Sequence, residues 1–294
     1  TRGFEVRLDW RDEIAMAGTP LNYSVGFNLG DYQSEILKYD NPTGLLNDYY
    51  EGQTIGEIWG LTNDGFFQSE AELDQLDQTA VGSDDQGYVF YVGDLRFSDL
   101  NGDGVIDRGD WTLEDHGDFK KIGNTTPRYS YGADLAADWK GFDLRMFFQG
   151  VGKKDWYPEA SNHYFWGVYA QPWTNVQAHN LDHWTPETPD GYFPRVKSYI
   201  AEDRSELGIP QTRYLQNAAY VRLKNLTVGY TFPKAMLDRL KIQNLRLYFS
   251  GENLFEVSHL KAKLDPEVIG AGGSSNTTTY PFQRTYSLGV NFTL

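Results

Sequence analysis

Tyr129-Ser130-Tyr131-Gly132-Ala133-Asp134-Leu135-Ala136-Ala137-Asp138-Trp139-Lys140-Gly141-Phe142-Asp143-Leu144-Arg145-Met146-Phe147-Phe148 reads as two strands joined by a tight turn. Tyr129, Tyr131, Ala133, Leu135, Ala137 and Trp139 alternate with Ser130, Gly132, Asp134, Ala136 and Asp138. After Lys140-Gly141 the alternation restarts, with Phe142, Leu144, Met146 and Phe148 against Asp143, Arg145 and Gln149. A period of two places all the apolar side chains of a strand on one face. Each arm spans about ten residues, whereas strands of globular proteins commonly have about five or six.

The same pattern recurs on both sides. Phe4, Val6, Leu8 and Trp10 alternate with Glu5, Arg7, Asp9 and Arg11; the pattern then breaks over Asp12–Pro20 and resumes at Leu21, Tyr23, Val25, Phe27 and Leu29. Downstream, Ala218–Phe232 is a strand whose halves differ in phase (Val221 and Leu223, then Leu226, Val228 and Tyr230), which predicts a bulge near Asn225. Leu245, Leu247 and Phe249 form another, and Tyr286, Leu288, Val290, Phe292 and Leu294 a last one. Pro233–Gln243 reads as a short link with one helical turn. Between Lys38 and Asn124 no period is sustained, though Ser69 and Glu72 form a capping box for a short helix carrying Leu73 and Leu76, and Tyr88–Val92 reads as a hairpin strand.

The links alternate short and long. Outer-membrane barrels have that rhythm, with short periplasmic turns and long outer loops. Trp10, Trp139, Phe142, Tyr230 and Phe232 stand at strand ends beside the short links, where an aromatic girdle belongs. About seven antiparallel membrane strands result, too few to close a wide barrel. An open edge in lipid costs several kcal/mol per unpaired backbone group, so further strands must complete the wall. The chain opens in a strand at Thr1-Arg2-Gly3, without initiator Met or signal peptide, as a piece of a longer product would.

Composition excludes several alternatives. The 294 residues carry a net charge of −15 and no Lys/Arg cluster, which argues against a nucleic-acid partner. Cysteine is absent, removing disulfide and thiolate chemistry. No apolar run is long enough for a transmembrane helix, and a barrel needs none. There is no Gly-x-Ser-x-Gly elbow, His-Glu-x-x-His, P-loop or dinucleotide fingerprint, so the chain is not read as an enzyme.

One segment carries metal chemistry. Asp99, Asn101, Asp103, Asp107 and Asp110 occupy positions 1, 3, 5, 9 and 12 of a calcium-type loop; Gly104 sits at the sharp turn, and Val105 offers its carbonyl at position 7. Position 12 is Asp rather than the bidentate Glu of an EF-hand. We expect a bound structural calcium. His179 and His183, four residues apart, lack the further ligands a zinc site requires.

The acid loop in the setting Gly93-Asp94-Leu95-Arg96-Phe97-Ser98, with Ile122-Gly123-Asn124, Tyr131-Gly132 and Lys140-Gly141-Phe142-Asp143-Leu144, resembles the C-terminal part of SusC/RagA-like TonB-dependent outer-membrane transporters of Bacteroidetes. Asn41-Pro42-Thr43-Gly44, Gly56-Glu57-Ile58-Trp59-Gly60, Trp184-Thr185-Pro186-Glu187, Tyr220-Val221-Arg222-Leu223-Lys224-Asn225-Leu226-Thr227-Val228-Gly229-Tyr230, Glu252-Asn253-Leu254-Phe255 and Gly289-Val290-Asn291-Phe292 fit as well. The resemblance covers residues 1–294 and implies an all-β fold: the C-terminal portion of a 22-stranded antiparallel transmembrane β-barrel. Residues 39–125, 153–217 and 256–280 would be the extracellular loops. The plug domain lies outside the chain. As partners it implies the remaining N-terminal strands and plug, a SusD-like surface lipoprotein, TonB through the missing part, membrane lipid, and an oligosaccharide or peptide ligand. Uptake would be TonB-driven.

Among the loop aromatics, Trp156, Tyr164, Trp166 and Trp173 are candidates to touch ligand or lipoprotein lid, although long loops also consume such residues in their own packing. The strand face bearing Glu5, Arg7, Asp9, Asp134, Asp143, Arg145 and Arg246 should look into the lumen and form ion pairs across the wall or with the plug. The rival reading is a secreted, calcium-stabilised β protein that binds or degrades polysaccharide, its apolar faces packed in a soluble core.

Overall fold

The computed structural model describes residues 1–81, 89–201, 206–269 and 281–294. Seven long strands form one antiparallel sheet: β1 (Arg2–Met16), β2 (Thr19–Gln33), β3 (Arg128–Trp139), β4 (Phe142–Lys153), β5 (Tyr220–Thr231), β6 (Asn244–Ser258) and β7 (Thr285–Thr293). Spatial order follows chain order, an up-and-down meander. On the short-link side, Ala17-Gly18 and Lys140-Gly141 turn with φ of 50°, 74°, 46° and 88°. Two consecutive positive φ values match the right-handed twist of the flanking strands. The first turn corrects the break expected over Asp12–Pro20, because β1 runs unbroken to Met16 and pairs in register with Thr19. The charged Asp12 and Glu13 hid this continuity from a hydrophobic pattern. The third short link contains the expected helical turn, Lys234–Leu237.

The bulge also appears where the phase change placed it. Pairing of β5 shifts between Leu223 and Asn225 against both neighbours. Across the sheet, Leu135 faces Val25 on one side and Met146 on the other, and Met146 faces Leu226, so one apolar row crosses four strands. Among the described residues nothing is layered on that face: Phe4, Val6, Leu8, Trp10, Leu288 and Val290 are all exposed. None of Tyr131, Leu135, Leu144 or Met146 enters a buried core. Phe142 and Tyr230 rings lie 4.6 Å apart and Tyr230 and Phe232 5.1 Å, so aromatics band the short-link end there. Trp10, expected in the same girdle, instead lies mid-strand opposite Val25, because β1 runs on to Met16.

The hydrophobic core lies elsewhere. Leu61, Phe97, Ile106, Phe165, Trp166 and Phe193 are its centre, and every residue of the buried cluster comes from the links between β2 and β3, β4 and β5, and β6 and β7. None belongs to the seven strands. A water-soluble sandwich would do the reverse and pack its sheet faces. Two details of the first long link differ from the sequence reading. A helix forms at Glu70–Leu73, but Ser69 makes no side-chain cap; Glu72 accepts instead from the Gln68 N–H at 2.9 Å. Residues 89–92 are not a strand, while Tyr88 lies outside the described residues.

Candidate functional site

The acid loop is wound around Asp99. Its carboxylate accepts the N–H groups of Gly102 (2.6 Å) and Gly104 (2.8 Å), and Gly104 holds φ +85° at the turn. These N–H groups, Gly104 first, hold the Asp99 carboxyl below its ordinary range. Asp103 accepts from the Val105 N–H (2.8 Å) and Asn101 Nδ2 (2.9 Å), while Asn101 Oδ1 accepts from the Asp103 N–H (3.0 Å). Positions 1, 3 and 5 are thus brought together by the loop's own backbone.

Positions 9 and 12 make their own turn contacts. Asp107 accepts from the Gly109 N–H (2.8 Å), and the Asp110 N–H donates to Asp115 (3.2 Å). The donor set is all oxygen, as calcium requires, yet among the described residues no three carboxylate or imidazole groups converge on one point. Sequence reasoning missed Asp118. This side chain is buried beneath the loop and accepts from the Leu100 (2.6 Å) and Asp107 (3.0 Å) N–H groups, tying both halves together. Burial raises its carboxyl above the ordinary value, against those two bonds. Asp118 falls outside the twelve-residue motif, and nothing local marks it.

Beside this loop, Trp111, Phe119, Trp59 and His116 form an edge-on aromatic cluster, with Trp111 and Phe119 centroids 5.0 Å apart. The Trp111 ring nitrogen donates to Asn47 at 2.8 Å, fastening the acid loop to the start of the first link. Asp94, buried, takes Arg195 at 2.6 Å and Lys197 at 3.4 Å, joining the first link to the second.

The four loop aromatics separate by burial. Trp156 and Trp166 are buried in the loop core, where Trp166 packs edge-on against Phe165 at 4.7 Å; they cannot touch a ligand or a lid. Tyr164 is half-buried against His179 (5.7 Å), and His179 Nε2 bonds the Phe165 carbonyl at 3.0 Å. Trp173 is 72% exposed, 6.1 Å from Tyr199, and is the one available to a partner.

On the charged face, the ion pairs expected across the wall are partly formed. Arg246 of β6 reaches over Gly229 of β5 to Asp143 of β4 (2.6 Å), and a β-carbon at Gly229 would force both charged ends to shift. Arg145 meets Asp138 at 3.3 Å, and Arg7 meets Asp9 within its own strand at 2.8 Å. Higher on β5, Arg222 is buried with Glu256, Asp265 (2.6 Å) and Glu267 (2.8 Å), and Lys224 joins Glu267 at 3.0 Å. This hub clamps the third long link onto the wall.

No family model matches the chain. Among curated proteins it is similar to TonB-dependent receptor P3 of Formosa agariphila, 28% identical over 313 residues, covering 99% of this chain and 28% of that protein. TonB-dependent receptor P26 of the same organism is 27% identical over 97% of this chain and 27% of its own length. The chain therefore spans little more than a quarter of these relatives. Among solved structures, the RagAB peptide importer in the open-open state aligns over 99% of this chain and 28% of its own, with TM-score 0.64 and 21% identity. The RagAB peptide transporter aligns with TM-score 0.60 and 22% identity. Over nearly its whole length the chain is similar to TonB-dependent receptors and shares the fold of the RagAB structures. Its meander is a piece of the antiparallel β-barrel wall.

Proposed function

We propose that this segment supplies wall and outer loops to an outer-membrane importer that takes in a peptide or glycan, powered through TonB and lidded by a SusD-like lipoprotein. The carrying observation is the inversion of packing: exposed apolar residues along the strands, and a hydrophobic core confined to the links. Lipid on one face and a polar lumen on the other account for that arrangement. The unpaired edges of β1 and β7 would pair with the remaining strands of the barrel. Chemical conversion of the ligand has no part in this reading, since the solved neighbours are described as a peptide importer and transporter.

Calcium would have to draw Asp99, Asn101, Asp103, the Val105 carbonyl, Asp107 and Asp110 together, since their carboxylates do not yet converge, and would thereby stiffen the first link for the lid. Outside the cell, millimolar affinity suffices. Terbium bound there would be sensitised by Trp111. Asp99→Ala with Asp103→Ala should abolish that emission and weaken lid binding; unchanged emission and lid affinity would remove calcium from the account. Uptake of labelled peptide and oligosaccharide by cells carrying the complete transporter, with and without TonB, tests the main reading. Equal uptake without TonB would overturn it.

A further inference from the structure

The chain's negative charge is not spread evenly. Residues 34–127 hold 20 of the 41 acidic and 5 of the 26 basic residues, so the rest of the chain is balanced at 21 of each. The whole net charge of −15 therefore resides in the first long link. Two of its five cations are already committed, Arg96 to Asp64 and Lys121 to Glu57.

In the same link lies a cleft of about 650 Å³, the size of a small-ligand site. Leu73, Leu76, Val89 and Phe90 give it apolar walls, and Asp74 and Asp77 stand among them. Asp77 is fixed in place: its N–H donates to the Gly104 carbonyl (3.0 Å), its carbonyl accepts from Ile106 (2.7 Å), and its carboxylate takes Thr79 N–H at 3.0 Å. Among the described residues neither carboxylate has a Lys or Arg within ion-pair distance, and both are exposed.

Apolar walls with carboxylates free of cations suit an aliphatic stem ending in a cationic head, as Lys and Arg side chains present. A strongly negative link around it would attract such a ligand from beyond contact distance and repel an anionic one. We propose that this cleft, on the import reading above, is a subsite for basic side chains and makes the transporter select Lys- and Arg-bearing peptides. Because the field acts through solvent, selection weakens as salt shortens the screening length to a few ångströms.

The test uses the complete transporter with its lipoprotein, purified in detergent, and fluorescent peptides of equal length built from Gly with Lys, Gln or Glu. The Lys peptide should bind about tenfold tighter than the Glu peptide at low salt, the ratio shrinking as salt rises. Asp74→Asn with Asp77→Asn should lower Lys-peptide affinity by roughly threefold to tenfold and leave the Gln peptide unchanged. Glu114→Gln, an exposed charge removed elsewhere on the link, should change it less than twofold or so. Equal affinity for all three peptides, or a double variant that behaves like Glu114→Gln, would overturn the proposal. TonB-dependent uptake separates the two failures: uptake of the Gln peptide without charge preference, or of oligosaccharide alone, sinks only the subsite, whereas absence of TonB-dependent uptake of either ligand sinks both.

Discussion

Arg222→Met removes the one cation that, among the described residues, touches all three carboxylates of the hub. Arg222 is 2% exposed, so its partners have little water to fall back on. Glu267 would keep Lys224 at 3.0 Å, and Glu256 is 31% exposed, so both retain some screening. The cost then falls on Asp265, 5% exposed, which among the described residues would keep the N–H groups of Glu267 (3.0 Å) and Phe282 (2.9 Å) alone. Breaking a buried pair from one side costs about 3–5 kcal/mol, and these surviving bonds place the effect near 3. That corresponds to roughly a hundredfold rise in the open population of the third link. Hydrogen exchange of residues 259–269 in the detergent-solubilised transporter reads it directly. Adding Asp265→Asn should restore more than half of the protection, because the stranded charge is gone. A change below about threefold, or additive losses in the double variant, would refute the argument that charge burial sets the cost.

Other consequences follow from the same geometry. Gly229→Ala would place a Cβ 2.5 Å from both Asp143 Oδ1 and Arg246 Nη2, so barrel unfolding in urea should show a loss of about 1–3 kcal/mol. Arginine at Leu135 or Met146, mid-strand on the apolar face, should cost about 2–4 kcal/mol, whereas Ala136→Arg on the opposite face should be far milder; equal effects in a folding assay into vesicles would contradict the facing assigned to the strands. Asp265 titrates below its ordinary range: burial pushes it up, but the bond to Arg222 and the Phe282 and Glu267 N–H groups outweigh that. A carboxyl lowered by folding stabilises above its unfolded pKa and loses this as pH falls through the folded one. Proteolysis of the third link should therefore be flat from neutral pH to about 5 and rise below about 4, and Arg222→Met should erase that step.

How far a sequence reaches is visible in individual residues. Leu135 and Met146 could be assigned to a face, and a bulge placed beside Asn225, because a strand's period of two is written between near neighbours. Link length, the Lys140-Gly141 turn and the antiparallel meander follow from the same local record. In the first link, the half of the acid loop wound on Asp99 was legible for the same reason, its spacing being local.

Tertiary structure alone decided what irregular chain does with its side chains. Trp156 and Trp173 look alike in sequence, yet one is buried in the loop core and the other stands in solvent. Asp118 under the acid loop, Asp94 between Arg195 and Lys197, and Asp265 on Arg222 are contacts made across 11 to 103 residues of chain, or bridges from link to wall. No period records such partners. A strand's neighbours are dictated by the backbone ladder, whereas a loop's are chosen by whichever distant segment completes its core and neutralises its buried charge.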